Sequence, residues 1–154
     1  RRQRQMCIRD RDNIYSENAI INHILNRKIE YCNNNGLSIK CMVCGELKGV
    51  SDYDIHIILE NLLDNAIEAA LKAVNKRISV DIYSDEQAMV IKISNTTEEN
   101  VLKNNPEMNT TKKDNSYHGY GIKNVSELVK KNNGTIEYIQ LGVDIVQCRV
   151  LLML

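Results

Sequence analysis

Two pairs of β-branched runs constrain the fold of this chain more than any other feature. RISVDIY and AMVIKIS are joined by a polar turn around Ser84 to Gln87, and TIEYIQL and DIVQCRVLLML by a turn around Gly142. Such runs, separated by short polar turns, predict hairpins. The helical periodicities lie before and between them. Ser16 to Asn34 carries Ile20, Ile21, Ile24, Leu25 and Ile29 at helical spacing, with a Ser at its start and Gly36 beyond its end. Leu37 to Cys44 reads as a strand. Ser51 to Ala73 reads as the next helix, opened by SDYD, which offers Ser or Asp as an N-cap. Gly119 and Gly121 precede a third helix with Val125, Leu128 and Val129 inward and Gly134 as its stop. The order α-β-α-β-β-loop-α-β-β predicts an α/β (α+β) fold, a two-layer sandwich in which three helices cover one face of a five-stranded mixed sheet.

A chain of 154 residues suits one globular domain. Its 20 basic and 20 acidic residues cancel, so no bulk field steers it to nucleic acid or an anionic membrane, and any anion site has to be local. The opening RRQRQMCIRDRDN is polar and mostly basic without apolar periodicity. Residues 1–15 are therefore expected to be a tail or a connection to an upstream segment, with the domain in residues 16–154. No apolar run approaches the roughly 20 residues of a membrane helix, and the chain is expected to be soluble. Its five cysteines include one close pair, Cys41 and Cys44. Positions three apart on a strand point to opposite faces, and no second pair supplies further zinc ligands, so reduced thiols are expected.

Two motifs carry chemistry. In ENLLDNAIEAA, Asn61 and Asn65 are one helical turn apart, with Asp64 and Glu68 beside them. A solvated outer face explains such a stripe equally well on pattern alone. The alternative is a divalent ion: Mg²⁺ is held by few protein oxygens plus substrate phosphates, and a neutral amide meets it without repelling them. The second motif, HGYGIKN, follows a long segment, Asn95 to Tyr117, with little periodicity, much Asn and Thr, and the only Pro. Inside a domain such a stretch reads as a functional loop. Glycines before a helix let the backbone approach a phosphate, whose charge the first free N–H groups favour. The chain has neither the P-loop pattern nor the dinucleotide fingerprint.

NLLDNAIEAA resembles the N-box, and HGYGIKN the second glycine box, of the ATP-binding domain shared by sensor histidine kinases, gyrase, Hsp90 and MutL. The combination is most similar to the peptide-pheromone (quorum-sensing) and citrate-type sensor kinases, and the likeness runs from about Ser16 to the C-terminus. The resemblance implies ATP and Mg²⁺ as ligands, with Asn65 coordinating the metal and Asn61 supporting the metal–phosphate cluster. Gly119 and Gly121, with the N–H at Ile122, would hold phosphates, and residues 95–118 would form the lid. Lys112 or Lys113 would reach the phosphates as a point charge, with plain solvation as the competing reading. His118 fits a lid hinge or a backbone-bonding residue better than a base. Where the ATP-hydrolysing relatives place a water-activating Glu, this chain has Asn61, which suits phosphoryl transfer to a protein better than free hydrolysis.

Two departures from the family pattern stand out. The D-x-G-x-G box, whose Asp accepts from the adenine amine, is replaced by ISNTTEEN, leaving Asn95 as a neutral acceptor. A phosphoacceptor is also missing: His23 and His56 fall within apolar helices, where a structural role is expected. The resemblance therefore implies an acceptor His on an upstream dimerisation domain, a response regulator downstream, and a membrane-anchored, dimeric parent of which this is a cytoplasmic part. No covalent catalytic residue and no nucleic-acid partner are expected. The rivals are a degenerate module acting by protein–protein contact and a free ATPase of the gyrase type, against which Asn61 argues.

Overall fold

Strand pairing frames the protein. The computed structural model describes Ile14, residues 16–98 and residues 119–154. In chain order its elements are α1 (Ala19–Asn34), β1 (Ser38–Cys44), α2 (Asp52–Lys72), β2 (Arg77–Ser84), β3 (Ala88–Thr96), α3 (Gly119–Lys131), β4 (Thr135–Gln140) and β5 (Ile145–Met153). The strands lie in the order β1-β2-β3-β5-β4. Only β1 and β2 run parallel, as a connection through α2 requires; the other three pairings are antiparallel. The expected two-layer sandwich, with a five-stranded mixed sheet and three helices, is the observed fold.

Register decides which face is covered. Val80 lies opposite Ile93 and Ile93 opposite Cys148, while Ile82 lies opposite Ile91 and Ile91 opposite Val150. Because side chains alternate along a strand, these rows put the apolar residues of the central strands on one face. Helix α2 lies between α1 and α3 and also touches both β2 and β3. It seals that face with Ile55, Ile58, Leu59, Leu62 and Leu63, all at most 3% exposed. Burying each such side chain contributes about 1.5–3 kcal/mol. From α3, Val125 and Val129 are buried and Leu128 packs against the core, as expected.

Several boundaries differ from expectation. Helix α1 begins after Asn18, whose Oδ1 accepts the Ile21 N–H at 3.0 Å, while the Ser16 hydroxyl is bonded instead to Asn22. For α2 the cap is Ser51, which accepts the Asp54 N–H at 3.1 Å. Strand β3 runs through Asn95 and Thr96 because both pair with β5, opposite Val146 and Ile145. The lid expected from residue 95 therefore does not begin there, and residues 99–118 lie outside the described residues. At the end of α3 the left-handed residue is Asn133, with φ 49°. Gly134 is demanded by space instead: a Cβ there would lie 2.1 Å from the Leu151 carbonyl oxygen.

His23 and His56 are both exposed, on the solvent faces of α1 and α2, so the structural role expected for them is not what their surroundings offer. Among the cysteines, Cys32, Cys41 and Cys148 are free, and burial pushes the Cys41 thiol up to about 12. Cys44 is disulfide-bonded, a departure from the expectation of reduced thiols.

Candidate functional site

Helix α2 divides its polar residues between two neighbours. Glu60 and Asp64, one turn apart, face α1. There Lys28 Nζ lies 2.8 Å from Glu60 Oε2 and 2.5 Å from Asp64 Oδ1, and Arg27 pairs with Glu60 as well. The grouping of Asp64 with the asparagines is thereby corrected, since its carboxylate is drawn to a nearly buried ammonium on α1. Burial works against the Lys28 charge, but the bonds to Asp64 and Glu60 outweigh it and hold the group above its usual 10.5. For Glu60, burial opposes ionisation and is outweighed by Lys28 and Arg27, so its carboxyl sits below the usual 4.5. Glu68 pairs with Lys72 at 3.3 Å. The acidic side chains flanking the asparagines thus carry their own counter-charges, which limits repulsion of an anionic ligand.

Asn61 and Asn65 occupy the side of α2 next to α3. The Asn61 amide nitrogen donates back to the Ile57 carbonyl at 2.7 Å, leaving Oδ1 as the end turned outward. That oxygen abuts the glycine box: a Cβ added at Gly121 would lie only 2.6 Å from it. Two motifs far apart in the chain are therefore in direct contact, and any side chain at Gly121 would have to displace the Asn61 amide. Asn65, one turn further along α2, is exposed.

The glycines do not merely precede α3 but form its first turn, from Gly119, with half-buried Gly121 and Ile122 following. A helix's first turn has N–H groups without intrahelical acceptors and the positive end of the helix dipole. The arrangement sets amide oxygens, suited to a cation, beside main-chain donors, suited to an anion. Among the described residues no group of three or more His, Cys, Asp or Glu could hold a metal ion.

Asn95 sits near the end of β3 on the helix-covered face, half-buried, between Ile78 and Val146. Its Nδ2 donates to the Thr96 carbonyl at 3.0 Å, so its free end is an acceptor. Lys112 and His118 lie outside the described residues. Sequence reasoning missed one contact between the two helices that carry the motifs. Asp54, in the first turn of α2, is bonded to Lys131 and Asn132 at the far end of α3. The Ser-x-x-Asp spacing marks Asp54 as a helix-start residue, but nothing local points to a partner 77 or 78 positions away.

The fold is that of histidine kinase catalytic domains. The catalytic domain of histidine kinase ThkA superposes with a TM-score of 0.66 over 90% of this chain and 92% of its own, at 15% identity. A mycobacterial sensor histidine kinase, MprB, gives 0.59 over 86% and 93%, also at 15% identity. The Acinetobacter baumannii histidine kinase AdeS gives 0.58 at 16% identity, with 88% of this chain matched but only 63% of the AdeS chain spanned. No curated protein sequence matches the chain. The family model for the GHKL domain matches residues 50–151, from the cap of α2 to the last strand, and with both motifs inside that span the chain belongs to the GHKL domain family.

Proposed function

We propose that the chain is the catalytic domain of a two-component sensor histidine kinase, which binds Mg-ATP and donates the γ-phosphoryl group to a histidine on an upstream dimerisation domain. The observation that carries this reading is the contact of Asn61 Oδ1 with Gly121, which joins the two motifs in one place. The donors fit the ligand. Neutral amide oxygens suit a Mg²⁺ ion that takes its remaining oxygens from phosphates and water. Asn65 would hold the ion and Asn61 would support it; the ion supplies charge neutralisation of the phosphate oxygens. The first N–H groups of α3, from Gly119 and Gly121 to Ile122, would bind phosphates, with Lys112 and His118 contributed by a lid that ends at residue 118. Asn95 would accept from the adenine amine, its amide nitrogen being engaged by Thr96.

Catalysis in this reading is positioning and electrostatic stabilisation, with no covalent intermediate on the protein. The bond from the γ-phosphorus to ADP breaks as the acceptor imidazole nitrogen bonds to phosphorus. Asn61 has no titratable proton and its amide nitrogen is occupied by Ile57, so it offers no base to activate water. That favours transfer over free hydrolysis. The acceptor domain and a cognate response regulator are its partners. The motif likeness favours a sensor of the peptide-pheromone or citrate type, with a membrane-anchored, dimeric parent and this domain on the cytoplasmic side. Among the described residues no helix is long and apolar enough to cross a membrane.

Calorimetric titration with a nonhydrolysable ATP analogue, with and without Mg²⁺, tests the reading. Binding should require the metal. Asn65→Ala should remove this Mg-dependent binding with little change in thermal midpoint, because an exposed side chain contributes within about 0.5 kcal/mol to stability. No heat at millimolar nucleotide favours the protein-contact module, for which the missing first glycine box at ISNTTEEN is the supporting feature. Steady phosphate release from the chain alone favours the free ATPase.

A further inference from the structure

Asp54 is among the most buried polar residues described, at 1% exposure, yet it belongs to neither motif. Its backbone N–H is bonded to the Ser51 cap, which fixes it in the first turn of α2. Its carboxylate receives three bonds from the end of α3: Lys131 Nζ at 3.1 and 2.9 Å, and Asn132 Nδ2 at 3.0 Å. Asn132 also donates to the Leu128 carbonyl, and its own carbonyl accepts the Met153 N–H, so the clamp reaches β5 as well.

The rest of α3 is held differently. Val125 and Val129 pack into the core, and apolar contact is non-directional, so it resists separation far more than it resists tilting. Hydrogen bonds to a buried carboxylate are directional and tolerate displacements of only a few tenths of an ångström. The two ends of α3 thus have separate tasks, an anchored one at Lys131–Asn132 and a free one at Gly121, against Asn61. Since ten residues of helix span about 15 Å, a tilt of about 10° about the clamp moves Gly121 by about 2.6 Å. A displacement of that size removes any hydrogen bond the first turn makes.

We infer that Asp54 is a positioning residue for the nucleotide site, setting through its grip on Lys131 and Asn132 the angle at which the glycine box meets Asn61. This rests on the nucleotide-binding reading above. Asp54 touches no ligand and acts through the helix it holds.

The test is Asp54→Asn, which keeps the side-chain volume and removes the charge; Lys131, with 64% of its side chain exposed, then turns to water. Affinity for the ATP analogue with Mg²⁺ is measured by calorimetry, and the Gly121 and Ile122 amide resonances are followed without nucleotide. The comparison is Ile24→Val on α1, taken at a temperature where both variants are folded and equally distant from their midpoints. Asp54→Asn is expected to weaken binding about tenfold and to shift the Gly121 amide, whereas Ile24→Val does neither. If Asp54→Asn does not accumulate as folded protein, Lys131→Ala removes part of the grip from a largely exposed position and should weaken binding about threefold. Unchanged affinity, an unmoved Gly121 amide, or an equal loss in Ile24→Val overturns the inference while the function stands. A wild-type protein that binds no nucleotide overturns both.

Discussion

Replacing Gly121 by Ala separates the site's function from its stability. A methyl group at this position would meet Asn61 Oδ1 at 2.6 Å, well inside contact distance. The oxygen can give way only by rotating the amide, which breaks the 2.7 Å bond from Asn61 Nδ2 to the Ile57 carbonyl. Loss of that half-exposed hydrogen bond costs about 0.5–1.5 kcal/mol. Against it stands the gain in helix propensity from Gly to Ala, up to about 1 kcal/mol. The two nearly cancel, so urea unfolding should place the variant within about 1 kcal/mol of the parent protein. In the proposed reading nucleotide binding has no such compensation, because both the amide assigned to the metal side and the close approach to the first turn of α3 would be lost. Loss of one charge-assisted hydrogen bond, about 1.5–3 kcal/mol, corresponds to at least a tenfold weaker affinity. The assay pairs calorimetric titration with denaturation on one preparation. In an Asn61→Ala background the clash is gone, and Gly121→Ala should then be stabilising, so the two substitutions are coupled in a double-mutant cycle. An affinity unchanged in Gly121→Ala, or additive stabilities in the cycle, refutes the assigned contact between the two motifs.

Two further outcomes follow from the ion pairs and the close packing. The bonds from Asn132 and Lys131 outweigh burial and hold the Asp54 carboxyl below its usual 3.8, and Lys28 holds Glu60 below 4.5. Both groups stabilise the fold above those usual values and lose that contribution as pH falls through their lower folded values; urea unfolding across pH 5 to 2 should show the loss, with a shallower slope in Asp54→Asn. Lys28, held above 10.5, has the opposite sign, so its contribution disappears on the alkaline side. Gly134→Ala should destabilise by about 1–3 kcal/mol, the usual cost of overpacking, because its methyl group would meet the Leu151 carbonyl at 2.1 Å and a backbone atom cannot rotate away. A thermal midpoint equal to the parent's would show that the junction of α3 and β4 is looser than its geometry.

Local order was legible in the chain. Spacing of Ile24, Leu25 and Ile29, of the α2 leucines, and of Val125 and Val129 predicts which side of each helix is buried, because side-chain direction repeats every 3.6 residues whatever lies opposite. The same rule puts Asn61 and Asn65 on one face. Alternation and turn residues identify the hairpins for an equally local reason. The periodicity does not specify which neighbour a polar side chain meets. Asp64 is one residue from Asn65, yet it turns to Lys28 on α1, since helix α2 is flanked on both sides and its rotation decides which residue faces which partner. His23 and His56 are exposed for the same reason: an apolar helix still has a wet face.

Tertiary structure alone decided three things: the insertion of β5 between β3 and β4, the meeting of Gly121 with Asn61, and the capture of Lys131 and Asn132 by Asp54. Each brings together residues separated by much of the chain. Neither propensity nor periodicity reaches that far, whereas close packing of three helices on one sheet face leaves these groups a single arrangement in which their hydrogen bonds are made and their surfaces do not collide.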